Sequence, residues 1–121
     1  MGNRELGLKG EKVACNFLKR QGYRILERNY RSPFGEVDII ARKGKSLVFC
    51  EVKTRSGGDM EEALEAVDTV RQGRLGRAAS YYLSAVGDHR SECRFDVIAL
   101  LRDGGGWRIE HVEDAFEVGR L

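Results

Sequence analysis

Two short runs, GEVDII (35–40) and FCEVKTR (49–55), carry Glu36, Asp38, Glu51 and Lys53 among apolar residues. Carboxylates offer hard oxygen ligands, which suit Mg²⁺ or Mn²⁺ better than zinc. Magnesium keeps several waters and takes one or two carboxylates together with substrate phosphate oxygens. A lysine beside such carboxylates can orient or deprotonate a water, or balance charge on a phosphate. The chemistry these residue types suit is therefore metal-assisted hydrolysis of a phosphodiester, with Asp38 and Glu51 as ligands and Lys53 as the cation.

That chemistry needs the two runs side by side. Both read as strands, joined by the short glycine-containing Lys43-Gly44-Lys45 connection of a hairpin. Alternation sets Glu36, Asp38 and Ile40 on one face and Val37, Ile39 and Ala41 on the other; in the next run Phe49, Glu51 and Lys53 oppose Val48, Cys50 and Val52. The wholly apolar set must look into the core. Opposed residues of an antiparallel hairpin have a constant index sum and point the same way. A four-residue connection gives about 89, with Asp38 facing Glu51; a two-residue connection gives about 87, with Glu36 facing Glu51. Either sum gathers Glu36, Asp38, Glu51 and Lys53 in one patch, whereas an even sum separates the acids. Opposed carboxylates repel by roughly 1 kcal/mol or less at a wet surface and more when sheltered, which a divalent cation removes. The plainer alternative is a solvated sheet face with ion pairs such as Lys53 with Glu36.

The remaining elements frame this hairpin. Residues 5–21 predict an amphipathic helix with a stripe of Leu6, Val13, Ala14, Phe17 and Leu18, an N-cap at Asn3 and a C-terminal Gly22. Gly7 and Gly10 weaken its first turns, as close packing would require. Glu11, three residues before Ala14 and seven before Leu18, shares the apolar face. Either it meets a cation, a metal or donors there, or it snorkels from the stripe's edge. Residues 23–31 predict a strand, and EEALEAV (61–67) a short helix. A longer helix spans about 69–85, with Asp68 as N-cap and Leu75, Ala78, Ala79, Tyr82, Leu83 and Val86 as its stripe. On it Arg71, Arg74 and Arg77 recur every three residues, as a solvated face or as phosphate contacts. Strands at 93–101 and 107–112 pair across the turn Asp103-Gly104-Gly105-Gly106, and 113–117 reads as a last short helix. The order α-β-β-β-α-β-β predicts an α/β (α+β) fold, a mixed sheet flanked by helices, in one domain over 1–121.

Composition bounds the function. Of the residues, 41% are hydrophobic and 33% charged, with net charge +2. Residues 1–55 hold 13 Lys and Arg against 6 Asp and Glu, and residues 56–121 hold 8 against 13. The basic first half points to phosphate-bearing partners. No apolar run reaches the ~18 residues of a membrane span, and MGNRELGLKGE has no apolar core of a secretory signal. Cys15, Cys50 and Cys93 form no C-x-x-C pair and read as core residues of a reducing cytoplasm. His89 and His111 stand apart from other ligand types and read as surface residues; Trp107 reads as core or interface.

The motifs together resemble the PD-(D/E)xK nuclease superfamily with its restriction-endonuclease-like core. More closely they resemble the YraN family of small bacterial proteins, themselves likened to archaeal Holliday-junction resolvases. The resemblance rests on Gly10-Glu11, Arg28-Asn29-Tyr30, Gly35 to Ala41, Phe49 to Arg55, Ala66-Val67, Gln72 with Leu75, Ala79-x-x-Tyr82-Leu83 and Arg94 to Val97. It implies an αβββαβ core with Asp38, Glu51 and Lys53 as the nuclease triad, Glu11 approaching the metal and the Val52 carbonyl as a further ligand. Arg28, Arg55, Arg71, Gln72 and Arg74 become candidates for nucleic-acid contact. The implied cofactor is Mg²⁺, with Mn²⁺ as substitute. The implied partner is branched or structured DNA, bound by a homodimer because a four-way junction has two symmetric cuts. The sequence departs from the pattern where Gly35-Glu36 replaces Pro-Asp, where Arg71 replaces a usual Lys, and where Thr69 replaces a common Pro. Arg71 keeps the charge but not the geometry. A nuclease-like fold that binds nucleic acid or a protein without cutting is the alternative.

Overall fold

The amphipathic pattern of the first segment forms a helix, α1 (Asn3–Arg20), that buries Leu6, Gly10, Ala14, Cys15 and Leu18. Its N-cap is Gly2, without a side-chain cap, so Asn3 is the first helical residue rather than the cap. It ends where Gly22 adopts φ 90°, with the Gly22 N–H on the Lys19 carbonyl at 3.1 Å and the Tyr23 N–H on the Leu18 carbonyl at 3.0 Å, a glycine-terminated Schellman end. Three strands follow, β1 (Arg24–Ser32), β2 (Gly35–Lys43) and β3 (Ser46–Arg55). Two helices, α2 (Met60–Glu65) and α3 (Thr69–Val86), lead to the last hairpin, β4 (Glu92–Asp103) and β5 (Gly106–Val112). Asp68 caps α3 by accepting the Arg71 N–H at 2.9 Å, and Gly87, at φ 70°, closes its other end. This computed structural model describes residues 2–118.

The strands form one sheet in chain order, β1-β2-β3-β4-β5. Neighbours pair antiparallel except β3 and β4, which run parallel in register from Ser46↔Glu92 to Arg55↔Leu101. A parallel pair requires a crossover, and α2 and α3 supply it. The fold is thus α+β, a mixed five-stranded sheet with helices packed against it, as the pattern predicts.

Both faces of the sheet are covered, which alternation alone did not foresee. On one side Ala14, Cys15 and Leu18 of α1 pack with Ile39, Ala41, Val48, Cys50, Ile98 and Leu100. On the other Leu75, Ala78, Ala79 and Tyr82 of α3 pack with Ile40, Leu47, Phe49, Phe95 and Val97. Val37 joins the second cluster rather than that of Ile39 and Ala41, so the strict alternation of β2 is interrupted at Asp38. The segment read as a last helix is instead a turn at 113–114 followed by irregular chain to 118. Its Ala115 N–H bonds the Phe95 carbonyl at 2.8 Å, and Phe116 stacks on Phe95 with centroids 5.5 Å apart. Tertiary contact fixes this segment and overrides the short helix that its local pattern suggests. Among the described residues no helix is long and apolar enough to cross a membrane.

Candidate metal and phosphate site

The hairpin has the register of the longer connection. Ile39↔Cys50, Ile40↔Phe49 and Lys43↔Ser46 all sum to 89. Extended by one step it would set Asp38 opposite Glu51, but the ladder stops at Ile39. Asp38 takes over with its side chain, its Oδ2 accepting the Val52 N–H at 2.8 Å. A side chain that replaces a backbone partner ends the pairing and lets the strands part.

The four charged residues are consequently divided, contrary to the single patch that an odd sum predicts. Asp38, Val52, Lys53, Thr54 and Arg55 line a cleft of about 300 Å³ with Gly7 and Glu11 of α1. Glu36 and Glu51 line a neighbouring cavity of about 160 Å³ with Gly35, Arg71, Arg74 and Leu75. Asp38 lines the first hollow and Glu51 the second, and the two carboxyls are near enough for Glu51 to act on Asp38. In a strand, the N–H and C=O of one residue face the same neighbour. The Val52 carbonyl therefore also faces the Asp38 side, where the expected extra ligand would be.

Electrostatics set the character of this junction. Burial first, then the charge of Glu51 and a hydrogen bond shared with it, push the Asp38 carboxyl up to about 8, against the lowering effect of the Val52 N–H. Glu51 is 1% exposed and is held by a two-pronged pair from Arg71, Nε to Oε2 at 2.9 Å and Nη2 to Oε1 at 2.8 Å. That fork raises the Arg71 guanidinium further. Glu11 is also raised by burial, which outweighs the opposing Asn29 hydrogen bond and Arg28 charge. Among the described residues its buried Oε1 has no hydrogen-bond partner. An unsatisfied buried carboxylate oxygen costs about 1–3 kcal/mol or more, so a cation or donor would gain most at this atom.

Whether a cation fits can be judged from these donors. In type they fit a hard divalent ion: carboxylate oxygens, a strand carbonyl and an unpartnered Oε1. In number they fall short as arranged, since among the described residues no three His, Cys, Asp or Glu side chains converge tightly enough to hold a metal. Arg71 occupies both oxygens of Glu51, so Glu51 is not free to ligate in this arrangement.

Most of the sequence-derived residues gather here. Asp38, Lys53, Glu11, Val52 and Arg55 share the cleft, while Glu51, Arg71 and Arg74 share the adjoining cavity. Arg28 lies at the surface of β1, close enough to lower Glu11. Gln72 is drawn elsewhere: its Nε2 donates to the Val67 carbonyl at 3.1 Å, and it lines an apolar hollow under Phe116. The Arg71 fork was legible in principle. Arg71 lies four residues before Leu75 and seven before Ala78, the same spacing that turns Glu11 inward.

A second polar centre was missed. Asp96, fully buried, accepts from Arg94 Nε and Nη2, each at 2.9 Å, and from the Asp114 N–H at 3.0 Å. His111 Nε2 lies 2.6 Å from it, so His111, with its side chain 9% exposed, is not the surface residue its isolation suggests. Burial alone would raise Asp96; hydrogen bonds from His111, Arg94 and the backbone outweigh it and hold the carboxyl below its usual range. The available signal was an aspartate inside the apolar run CRFDVIALL.

Comparison with known proteins adds a family. The model of the uncharacterised protein family UPF0102 matches residues 10–100. A UPF0102 protein of Magnetococcus marinus is 44% identical over 117 residues, covering 96% of this chain and 94% of the other. One of Pelobacter propionicus is 50% identical over 119 residues, covering 96% and 85%. One of Chlorobium phaeobacteroides is 43% identical over 118 residues, covering 93% of each.

Proposed function

The chain belongs to UPF0102, the family of YraN-like proteins, and we propose that it is a magnesium-dependent DNA endonuclease acting on branched or structured DNA. The observation that carries this reading is the meeting of Asp38 and Glu51 at the end of a splayed hairpin, with Lys53 and the unpartnered Glu11 Oε1 in the same cleft. A fold gains nothing in stability from abutting two sheltered carboxylates, whereas a divalent ion turns their repulsion into affinity. The bound ion would supply Lewis acidity at the scissile phosphate and a more acidic water.

The chain's own residues have separate tasks in this proposal. Asp38 is oriented by the Val52 N–H and lines the cleft where the ion would sit. Lys53 balances charge on the phosphate or orients the attacking water. Arg55 at the cleft and Arg28 on the outer strand hold flanking phosphates, which fixes position without reading sequence. Arg71 keeps Glu51 neutralised until the substrate complex forms, then passes to the phosphate, for which its fork is suited. The restriction-endonuclease-like superfamily and a homodimer matched to a two-fold junction belong to the same proposal.

One observation favours a second reading. The Arg71 fork satisfies Glu51 fully, and a permanent fork would make the chain a DNA-binding module that does not cut. Calorimetric titration of Mn²⁺ into wild type and Asp38→Asn in low salt, followed by cleavage assays on a four-way junction, separates the two. Binding and cutting by the wild type, both lost in the variant, support the nuclease. DNA binding with no cation uptake and no cleavage in Mg²⁺ or Mn²⁺ establishes the binding module instead.

A further inference from the structure

The β1–β2 connection presents an apolar ring to solvent in a manner the cleft does not explain. Ser32 pairs with Gly35, leaving Pro33 and Phe34 as the two-residue tip. The Ser32 hydroxyl donates to the Gly35 carbonyl at 2.8 Å and accepts the Phe34 N–H at 3.1 Å, and Pro33 fixes its own φ. The tip is thus stiff, yet Phe34 is 48% exposed. Its ring meets Tyr81 of α3, also 43% exposed, edge to face at 6.3 Å. Gly35, at φ 148°, brings the turn to within 3.5 Å of Arg74 Cβ for an added Cβ, so the tip rests on α3.

The surroundings define what would cover these rings. Arg74, Arg77 and Tyr81 stand at i, i+3 and i+7 on one exposed face of α3. Neither arginine forms an ion pair among the described residues. Arg74 also lines the cavity that holds Glu51. Arg74 and Arg77, which form no ion pair among the described residues, therefore lead along α3 from the cavity of Glu51 to two exposed rings. Cations leading to a stiff aromatic platform match a strand whose phosphates lie on the arginines and whose base stacks on the ring. A duplex keeps its bases stacked internally and has none to offer; a branch point does.

We propose that Phe34, backed by Tyr81, is a stacking platform for an unpaired nucleobase at the branch of the DNA substrate, and that it sets the preference for branched over linear DNA. This rests on the nuclease reading for the substrate's position but not for its cleavage.

The test is binding in EDTA, with fluorescence anisotropy on a forked DNA and on a linear duplex of equal length. Wild type binds the fork more tightly. Phe34→Ala lowers the fork-to-duplex ratio about tenfold, the worth of one stacked base, with duplex affinity unchanged. Phe34→Trp keeps the ratio, and Tyr81→Ala lowers it less. An unchanged ratio in both alanine variants overturns the proposal. So does a ratio that shifts only because Phe34→Ala turns a dimer into a monomer by sedimentation velocity, since the rings would then be a self-contact. Fork preference without cleavage in Mn²⁺ removes the nuclease reading and leaves the platform standing; cleavage with fork preference intact in Phe34→Ala does the reverse.

Discussion

At the scale of single residues, the junction of Asp38 and Glu51 makes the sharpest predictions. An aspartic acid raised to about 8 in the fold and ordinary in the unfolded chain holds an extra proton only when folded. Its contribution to metal-free stability is fullest below about pH 4 and is lost as pH rises through 8. Asp38→Asn removes that loss: in chelator its melting temperature stays flat between pH 5 and 9 and exceeds wild type at pH 9, a comparison scanning calorimetry makes directly. Arg71→Ala strands Glu51 as a buried unpaired charge. A fully buried broken pair costs about 3–5 kcal/mol. Arg71 is 44% exposed, so about 2 kcal/mol is the reasonable expectation here. Mn²⁺ should restore most of it if the cation and the guanidinium compete for the same carboxylate, and a thermal shift that Mn²⁺ does not reverse would count against that competition. Asp38, Glu51 and Lys53 stood out in the sequence because charged residues inside short apolar runs are a local signal. The fork on Glu51 and the pairing of Asp96 with His111 were not recognised, because each joins residues far apart in the chain and depends on which helix face or strand edge meets which.

Elements decide whether those residues stay in position. Gly10 of α1 lies so close to β3 that an added Cβ would collide with Thr54 Oγ1 and come within 2.8 Å of Thr54 Cγ2. The anticipated close packing is thus real at Gly10, while an added Cβ at Gly7 would meet nothing within 4 Å. Gly10→Ala pushes the helix from the strand, at about 1–3 kcal/mol as for other overpacked contacts. Glu11 moves with it, so weaker Mn²⁺ binding should accompany the loss in chemical denaturation, whereas Gly7→Ala should stabilise by a few tenths to about 1 kcal/mol. The hairpin and the Asp68 N-cap of α3 followed from sequence, being short-range features, and the structure chose the longer of the two connections that the sequence allowed. The division of the acids into two hollows did not follow. It arises where the Asp38 side chain displaces a ladder bond, which a constant index sum cannot represent.

For the whole molecule, charge and pH act together. The buried Asp96 is held ionised by three partners, and its carboxyl lies below the usual range. The resulting stability is complete above the ordinary aspartate value of about 3.9 and is lost as pH falls below it. With Asp38 acting in the opposite direction, metal-free stability should peak near pH 4 and decline as pH rises toward 8. Asp96→Asn should abolish the acid limb and lower stability across the range by about 2–3 kcal/mol, as urea titrations at several pH values would show. The α+β class and mixed sheet could be read from the order of periodic segments. The parallel partner of β3 and the path of residues 113–118 could not, being tertiary choices among edges and faces that local patterns leave equal.

The parallel pairing of β3 with β4 also has a consequence in time. Ser46 meets Glu92 and Arg55 meets Leu101, so the strand bearing Glu51 and Lys53 waits for a partner made forty-six residues later. During synthesis the hairpin with its acids leaves the ribosome first, with one edge open and no α3 to hold Glu51. Loop closure over that distance must precede the reward of pairing. The cleft therefore cannot take its shape on a growing chain, and amide protons of β3 should become protected only when β4 has emerged, as hydrogen exchange on stalled nascent chains would record.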